Sequence, residues 1–380
     1  GMGVALTKNT ISDVEKNERL QDIVRYGQRL YQDLFGRDDT LKRYMTKQPH
    51  FAKGACIVLR LFDTASELWN IPWEYIHDGT QFMGLNPKYP ILRYLVDSKP
   101  TRLAPDLTQL PNPLRILFVI SNPRNVAPLN VEAEINRIQR AIKPASEKRL
   151  VEIKYVEQAT LKNLENALSK RDFHILHYSG HGTITPKGSQ LVMENDAGLS
   201  ELVSLDKLLP VVSQASNLRL VFLSACKAGN INETLASSGI ATGLMRVVPA
   251  VLAMQFSILD GSASKLAEAF YGEIGRGATL EEALFASRQA LHNHNDWLSD
   301  WGVPALYINK PNIRLVDITK ERKIFSIAGQ HDLSTLPHTE PFTGRRDEQN
   351  EIRAILKNDD IPFIYIWGMA GVGKSALVHQ

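Results

Sequence analysis

A chain of 380 residues, 43% of them apolar and 22% charged, is typical of a globular protein with two or three domains of ~150 residues, and this composition argues against a disordered or fibrous chain. The net charge of +3, without a long run of like charges, gives no electrostatic support for binding to nucleic acid or to an anionic membrane. Cys56 and Cys226 are too few for a disulfide framework, and no apolar run reaches the ~18–20 residues of a membrane span, so we expect a soluble, cytoplasmic protein.

The first 110 residues predict a small α/β section. An amphipathic helix is predicted by one apolar stripe at Ile23, Tyr26, Leu30, Tyr31 and Leu34. The run 55–62 is short, apolar and rich in β-forming residues, which is typical of a strand. We expect Cys56 to be a small buried residue of that strand rather than a reactive one.

Strands and helices alternate from residue 111 to about 315. Apolar or alternating runs predict strands at 114–120, 150–156, 173–178, 218–223, 250–256 and 304–308. Helical spacing predicts helices at 131–142, 161–168, 205–212, 240–247, 263–275 and 280–292. We therefore expect a new sheet to begin at residue 114. It should be doubly wound and mostly parallel, with helices on both faces and its active site outside the carboxyl ends of the strands.

Two of these strands are followed by residues that could form a base and a nucleophile. His181 follows strand 173–178 in Ser-Gly-His-Gly, and Cys226 follows strand 218–223 in Leu-Ser-Ala-Cys. Parallel neighbours bring their carboxyl ends together, so His181 can accept the proton of a thiol whose free pKa is about 8.5. We expect the glycines beside His181 to permit a sharp turn. The backbone N–H groups of Gly182 and Cys226 are the natural donors of an oxyanion hole.

Beyond these two segments, several longer motifs resemble the CHAT peptidases, which belong to the caspase, separase and gingipain clan. The resemblance covers about residues 20–310 and is carried by Leu-Trp-Asn-Ile-Pro-Trp-Glu-Tyr (68–75), Pro-Leu-Arg-Ile-Leu-Phe-Val (113–119), His-Tyr-Ser-Gly-His-Gly (177–182), Val-Phe-Leu-Ser-Ala-Cys-Lys-Ala-Gly (221–229) and Trp-Gly-Val-Pro-Ala-Leu-Tyr (301–307). It implies a caspase-like fold. It also implies hydrolysis of a peptide bond in a protein substrate by His181 and Cys226, without a cofactor.

The substrate pocket departs from the pattern of the clan. Several members that cleave after Arg or Lys have an aspartate two residues before the cysteine, where this chain has Ser224. The segment 256–260 reads Phe-Ser-Ile-Leu-Asp, whereas family members often have a Trp and two aspartates there. Asp260 and Asp196 are candidate pocket acids, although most aspartates are simply solvated. The sequence therefore does not predict a basic P1 preference.

Other interpretations of the same residues stay open. His174 and His177 lie within a predicted strand, where we expect packing or hydrogen bonding rather than catalysis. Cys226 by itself could be an inert buried thiol, and the histidine segment is what favours a nucleophile. No Cys, His and Asp cluster supplies three companion ligands for His181, so we predict no metal site.

A second motif near the carboxyl end predicts nucleotide binding. An apolar strand at 361–367 leads into a Walker A sequence, whose phosphate- and Mg²⁺-binding residues would be Gly368, Gly371, Gly373, Lys374 and Ser375. The upstream Phe-Thr-Gly-Arg-Arg at 342–346 resembles the start of STAND-type regulatory NTPases. No Walker B strand follows in these residues, so we expect ATP and Mg²⁺ to bind only in a longer, full-length protein.

The sequence thus predicts four segments. These are an N-terminal helix and α/β section (1–110), a caspase-like core (111–315), a linker (316–341) and the start of a P-loop NTPase (342–380). We expect a cysteine endopeptidase that is the effector of a bacterial signalling, defence or cell-death system. Regulatory NTPase and sensor domains of the same chain would be its partners. The alternatives are a catalytically silent caspase-like interaction module and a protein whose chief function is nucleotide sensing.

Overall fold

A computed structural model gives the fold of the chain. It describes residues 13–35, 57–62, 66–86, 91–96, 110–129, 131–227, 236–256, 260–293, 299–310 and 312–318. The chain divides into two units, 1–321 and 322–380, and every described residue belongs to the first. Cys56, most of the predicted linker and the whole Walker A motif lie outside the described residues.

The described strands form one ten-stranded sheet. They are β1 (Ile57–Phe62), β2 (Ile91–Val96), β3 (Leu114–Ile120), β4 (Val151–Val156), β5 (Ile175–Thr185), β6 (Gly188–Glu194), β7 (Ser200–Ser204), β8 (Leu220–Lys227), β9 (Ala250–Met254) and β10 (Pro304–Ile308). Eight of them follow the order β1-β2-β10-β9-β8-β5-β3-β4, while β6 and β7 extend β5 as an antiparallel hairpin. Within that order of described strands, all pairs but β9–β10 are parallel. The predicted α/β class with a mostly parallel sheet is confirmed.

Helices cover both faces of this sheet. They are α1 (Asp13–Phe35), α2 (Ser66–Trp69), α3 (Val131–Glu147), α4 (Leu161–Lys170), α5 (Leu205–Ser213), α6 (Ala236–Leu244), α7 (Asp260–Gly275) and α8 (Leu280–His292), with 3₁₀ turns at Trp73–Tyr75, Met83–Leu85 and Asp300–Gly302. Alternate residues of β3 enter two hydrophobic clusters. Ile116 and Phe118 join the cluster formed with α3, α7 and α8, whereas Leu117 and Val119 join the one formed with α4, α5 and α6. This alternation is what a strand buried on both faces requires.

Local chemistry explains where the best-predicted helices begin. The Thr279 side chain accepts from the backbone N–H of Glu282 at 3.2 Å, and the Glu282 carboxylate accepts from the N–H of Thr279 at 2.7 Å. This reciprocal capping box satisfies two N–H groups that the first turn leaves unpaired. Thr160 caps α4 in the simpler way, by accepting from the N–H of Asn163 at 3.0 Å.

The N-terminal strands belong to the same sheet, so the expectation that a new sheet begins at residue 114 is wrong. Strand β2 pairs with β10, and β1 pairs with β2. A buried ion pair lies beside this junction, because Arg93 of β2 and Glu74 are both fully buried and their Nη2 and Oε2 atoms lie 2.7 Å apart. Gln255, which directly follows β9, also donates to Glu74 Oε2 at 2.6 Å. The N-terminal section is therefore joined to the core by polar contacts as well as by strand pairing.

Candidate active site

The central strands β5 and β8 bring His181 and Cys226 to paired positions. Their parallel register matches Ile175 with Leu220 near one end and His181 with Cys226 near the other. Neighbouring strands lie about 4.8 Å apart, and successive residues of a strand alternate between the two faces. The backbone therefore places both residues next to each other on one face of the sheet. The side chain of Cys226 lies outside the described ones.

Both residues lie inside strands and not beyond their ends, which corrects the predicted boundaries. Strand β5 continues to Thr185 and β8 to Lys227. Their outer neighbours end earlier, since β3 last pairs with β5 at Ser179 and β9 last pairs with β8 at Leu223. His181 and Cys226 thus occupy the part of the two central strands that projects past the parallel strands beside them.

The glycines beside His181 do not form a sharp turn, so that prediction is wrong. Gly180 and Gly182 lie within the extended strand β5, and neither is among the described glycines with positive φ. Gly180 has a different steric role, because a Cβ there would lie 2.4 Å from the hydroxyl oxygen of Tyr178. That hydroxyl is 2.9 Å from the carbonyl of His181 and 2.8 Å from the carbonyl of Val192. Gly180 therefore leaves room for a tyrosine that fixes the backbone at His181.

The ring of His181 is held by a backbone carbonyl. The side chain is buried, and Nε2 lies 2.8 Å from the carbonyl oxygen of Ala127, in the loop 121–129 between β3 and α3. A carbonyl oxygen only accepts hydrogen bonds, so Nε2 must carry the hydrogen. In the neutral ring Nδ1 is then the nitrogen without a proton, which is the state that a base needs. Sequence reasoning missed Ala127, because any residue type supplies a main-chain carbonyl.

A buried polar network lies on the same face of β5 as His181. Ser179 and His177 precede His181 at alternate positions, and the Ser179 hydroxyl donates to Oε2 of Glu134 at 2.6 Å. Nε2 of His177 lies 3.3 Å from Oε1 of Glu134 without hydrogen-bond alignment, and its Nδ1 lies 2.9 Å from the hydroxyl of Tyr271. Burial opposes ionisation of Glu134, but the contacts with His177 and Ser179 outweigh it and hold the pKa of that carboxyl below its usual value.

The two strand histidines are structural, as predicted. The ring of His177 is stacked between Phe118 and Phe222, with ring centroids 4.5 Å from each. His174 Nδ1 accepts from the backbone N–H of Arg115 at 2.9 Å. Burial, together with the positive charges of Arg219 and Arg115, lowers the pKa of His174 to about 4. His174 is therefore neutral at pH 7.

A comparison with protein families shows which family the chain belongs to. The model of the CHAT domain matches residues 24–316, which is most of the chain. The chain belongs to the CHAT domain family. This membership supports a peptidase-type hydrolase function. A search of curated proteins found no match to this CHAT protein.

Solved structures similar to this CHAT domain include three proteins at low identity. The Arg-specific cysteine proteinase gingipain R matches with a TM-score of 0.48 and 13% identity, over 80% of this chain and 76% of that one. The Saccharomyces cerevisiae separase–securin complex matches with a TM-score of 0.37 and 15% identity, over 67% of this chain and 15% of that one. The Drosophila initiator caspase Dronc matches with a TM-score of 0.34 and 9% identity, over 52% and 79%.

The predicted pocket residues of the CHAT domain lie in different settings. Ser224 is buried within β8, where it pairs with Ser179 of β5. Asp196 is exposed in the turn between β6 and β7. Asp260 is the first residue of α7, and its side chain lies outside the described ones. The structure therefore places Ser224 in the interior and Asp196 at the surface.

Within the described residues of the CHAT protein, no group of three or more His, Cys, Asp or Glu side chains could hold a metal ion. Similarly, none of the described helices combines the length and the apolar character needed to cross a membrane.

Proposed function

We propose that the CHAT domain of this protein is a cysteine endopeptidase, with Cys226 as nucleophile and His181 as its base. The observation that carries the proposal is the register of β5 and β8, which pairs these two residues on the projecting part of the sheet. A second observation supports it. Because the Ala127 carbonyl binds Nε2–H, the other ring nitrogen is the one that takes the proton of the thiol.

The reaction begins with transfer of the Cys226 proton to Nδ1 of His181. The thiolate attacks the carbonyl carbon of the scissile peptide bond, and the carbonyl oxygen becomes an oxyanion. We assign its binding to the backbone N–H groups of Gly182 and Cys226, each of which can contribute about 3–4 kcal/mol of transition-state stabilisation. The oxyanion then returns to a carbonyl as the C–N bond breaks, the imidazolium donates its proton to the leaving amine, and a thioester with Cys226 remains. Water hydrolyses this thioester, with His181 again as base, and the thiol is restored.

The backbone carbonyl of Ala127 has a defined role in this sequence of steps. It accepts Nε2–H whether the ring is neutral or positively charged. The partial negative charge on its oxygen stabilises the imidazolium that forms after proton transfer. His181 can therefore gain and release a proton at Nδ1 without turning its ring.

We further propose that the peptidase is controlled by other parts of a longer chain. The Walker A sequence motivates this proposal. Its residue types are those that hold phosphates and Mg²⁺, at Gly368, Gly371, Gly373, Lys374 and Ser375. ATP with Mg²⁺ would bind to that NTPase module and not to the peptidase site. The protein would act on a protein substrate in the cytoplasm, as an effector of a bacterial signalling, defence or cell-death system. Equal cleavage by full-length protein and its Lys374→Ala variant, with and without ATP, would contradict this control.

The dyad is tested by labelling with a thiol-reactive peptide probe. We expect the chain to be labelled at Cys226, Cys226→Ala to lose labelling, and His181→Ala to react at least about 100-fold more slowly, because the thiol then lacks its base. The matched control is Cys56→Ala, which should label like the unchanged chain. Equal labelling of the chain and its His181→Ala variant would exclude the dyad and leave the catalytically silent interaction module as the better interpretation.

A further inference from the structure

One side chain of the loop that contacts His181 binds the first residue of β7. Asn125 lies in this loop, two residues before Ala127. Its Oδ1 accepts from the backbone N–H of Ser200 at 2.8 Å, and its Nδ2 donates to the Ser200 hydroxyl at 2.9 Å. Both polar atoms of one amide therefore bind a single residue, the first of β7.

The turn between β6 and β7, residues 195–199, has hydrogen bonds of its own. The side-chain oxygen of Asn195 accepts from the backbone N–H groups of Ala197 and Leu199, both at 3.0 Å. Gly198 has a φ of 69°, a conformation that glycine adopts without steric cost. Ser200 thus follows directly after a turn whose internal hydrogen bonds hold its shape.

Further contacts between the loop and the hairpin lie beside the Asn125 side chain. The backbone N–H of Arg124 donates to the carbonyl of Gly198 at 3.1 Å, and its guanidinium donates to the carbonyl of Ala197. The backbone N–H of Asn122 donates to Oε1 of Glu194 at 3.0 Å. The residues of the loop that precede Ala127 are therefore held against the β6–β7 hairpin.

Ala127 depends on these contacts, since it is exposed and its side chain is a single methyl group. The carbonyl of Ala127 nevertheless has a demanding task, because it decides which nitrogen of His181 carries the hydrogen. A loop that shifts by about 1 Å lengthens this hydrogen bond beyond its useful range. Ser121, Asn122 and Arg124 hold the first part of the loop, and the Asn122 side chain also accepts from the backbone N–H of Leu129 at 3.2 Å. Asn125 binds the hairpin nearest to Ala127 and can therefore act on the base through the Ala127 carbonyl.

We propose that Asn125 is a positioning residue of the active site. By binding Ser200, it holds the Ala127 carbonyl against Nε2 of His181 and so selects the tautomer with an unprotonated Nδ1. The proposal rests on the function proposed above only where it concerns turnover. Its statement about the tautomer of His181 holds whether or not the protein cleaves peptides.

The amide of Asn125 offers a graded set of substitutions. Asn125→Ala removes both hydrogen bonds, Asn125→Asp keeps the acceptor for the N–H of Ser200, and Ser200→Ala removes only the hydroxyl. Asn166→Ala is the matched control, because Asn166 is also exposed but lies on α4, away from the loop. All variants are made in the 380-residue chain, and thermal unfolding shows whether each one folds.

The decisive measurement is nitrogen NMR of the protein labelled at its 10 histidines, with the signal of His181 assigned from the His181→Gln variant. We expect one Nε2–H tautomer in the unchanged chain and in Asn166→Ala, a mixture of tautomers in Asn125→Ala, and intermediate populations in Asn125→Asp and Ser200→Ala. With a cleavable peptide, kcat of Asn125→Ala should fall about 10- to 100-fold while KM changes less than about threefold, since orientation and not binding is lost.

The outcomes separate this inference from the proposed function. An unchanged His181 tautomer in folded Asn125→Ala overturns the inference, whatever the activity of the variant. A changed tautomer in a protein whose unchanged chain cleaves no peptide supports the inference and contradicts the peptidase function. A fall in kcat of Asn166→Ala equal to that of Asn125→Ala also overturns the inference, because the loss would then not depend on the contact with Ser200.

Discussion

Glu74 and Glu134 are both buried carboxylates, but the CHAT domain holds them in different ways. Glu74 accepts from Nη2 and Nε of Arg93, at 2.7 and 3.2 Å. Burial by itself would lower the pKa of Arg93. The interactions with Glu74 and Tyr307 have the larger effect and raise the pKa of that guanidinium above its usual value. Glu134 faces His177 instead, at 3.3 Å. The first carboxylate thus has a permanent cation beside it, and the second has a side chain that can be neutral.

This difference matches the places of the two carboxylates in the fold. The pair of Glu74 and Arg93 lies within the N-terminal section, and Gln255 connects it to the end of β9. Glu134 binds Ser179, two residues before the proposed base on β5. A buried ion pair contributes little net stability compared with apolar residues of equal volume, but removal of one partner alone is costly. The comparison therefore predicts unequal costs for substitutions at the two sites.

The largest effect is expected for Arg93→Met. The variant leaves Glu74 buried with Arg288 as its nearest cation, at 3.7 Å, and we expect the free energy of unfolding to fall by about 3–5 kcal/mol. Urea unfolding followed by circular dichroism measures the change. The control is the double variant Arg93→Met with Glu74→Gln, which removes the unpaired charge and should recover much of the loss. A loss below about 1 kcal/mol in the single variant would contradict the role assigned to this pair.

A smaller effect, which depends on pH, is expected for Glu134→Gln. At pH 7 we expect a loss of about 1–3 kcal/mol, since the Ser179 hydroxyl and the His177 ring lose a charged partner. The folded pKa of Glu134 is below its usual value, so its contribution is complete above about pH 4.5 and disappears as the pH falls through the lower, folded pKa. Unfolding free energies between pH 7 and 3 test this. The unchanged chain should lose more stability than the variant over that acidic range, and identical slopes would refute the idea.

The smallest effect is expected for Arg171→Gln, although its ion pair is short. Nη2 of Arg171 lies 2.6 Å from Oε2 of Glu152, closer than the contact between Glu134 and His177, but the two side chains are 39% and 32% exposed. Water and salt screen such a pair, so we expect the unfolding free energy to change by less than about 0.5 kcal/mol. A loss as large as that of Glu134→Gln would show that the stability contributed by these contacts depends on distance and not on burial.

The sequence predicted those elements whose pattern is local and strong. Strand β3 and helix α8 have the predicted bounds, because six of the seven residues of β3 are apolar and α8 begins at a capping box. Strand β2 was missed, since its strand pairing and the burial of Arg93 both depend on residues that are distant in the sequence. The β6–β7 hairpin was missed as well, because its apolar runs are only two or three residues long and its pairing depends on the projecting part of β5. Helix α6 begins at Ala236, before the predicted 240–247.

Some features of the candidate site could likewise be predicted from the sequence, and others could not. The order of strands and the two short motifs were enough to expect His181 and Cys226 near each other, and the register pairs their backbones. The contribution of Ala127 could not be predicted, because a carbonyl leaves no trace in residue type. Glu134 did leave a signal, since it lies on one helical stripe with Ile138 and Ile142 at intervals of four residues. A carboxylate on an apolar stripe indicates a buried polar partner.

The place of β10 has a consequence for the synthesis of the protein. This strand is the last of the described ten along the chain, yet it lies between β2 and β9. Because a nascent chain leaves the ribosome amino end first, β1 and β2 emerge long before residue 304 can follow them. Until then β2 has no partner on the side that β10 will occupy, and the main-chain groups of that edge remain open to other chains. A chain whose synthesis stops before residue 304 therefore lacks the strand that connects β2 to β9.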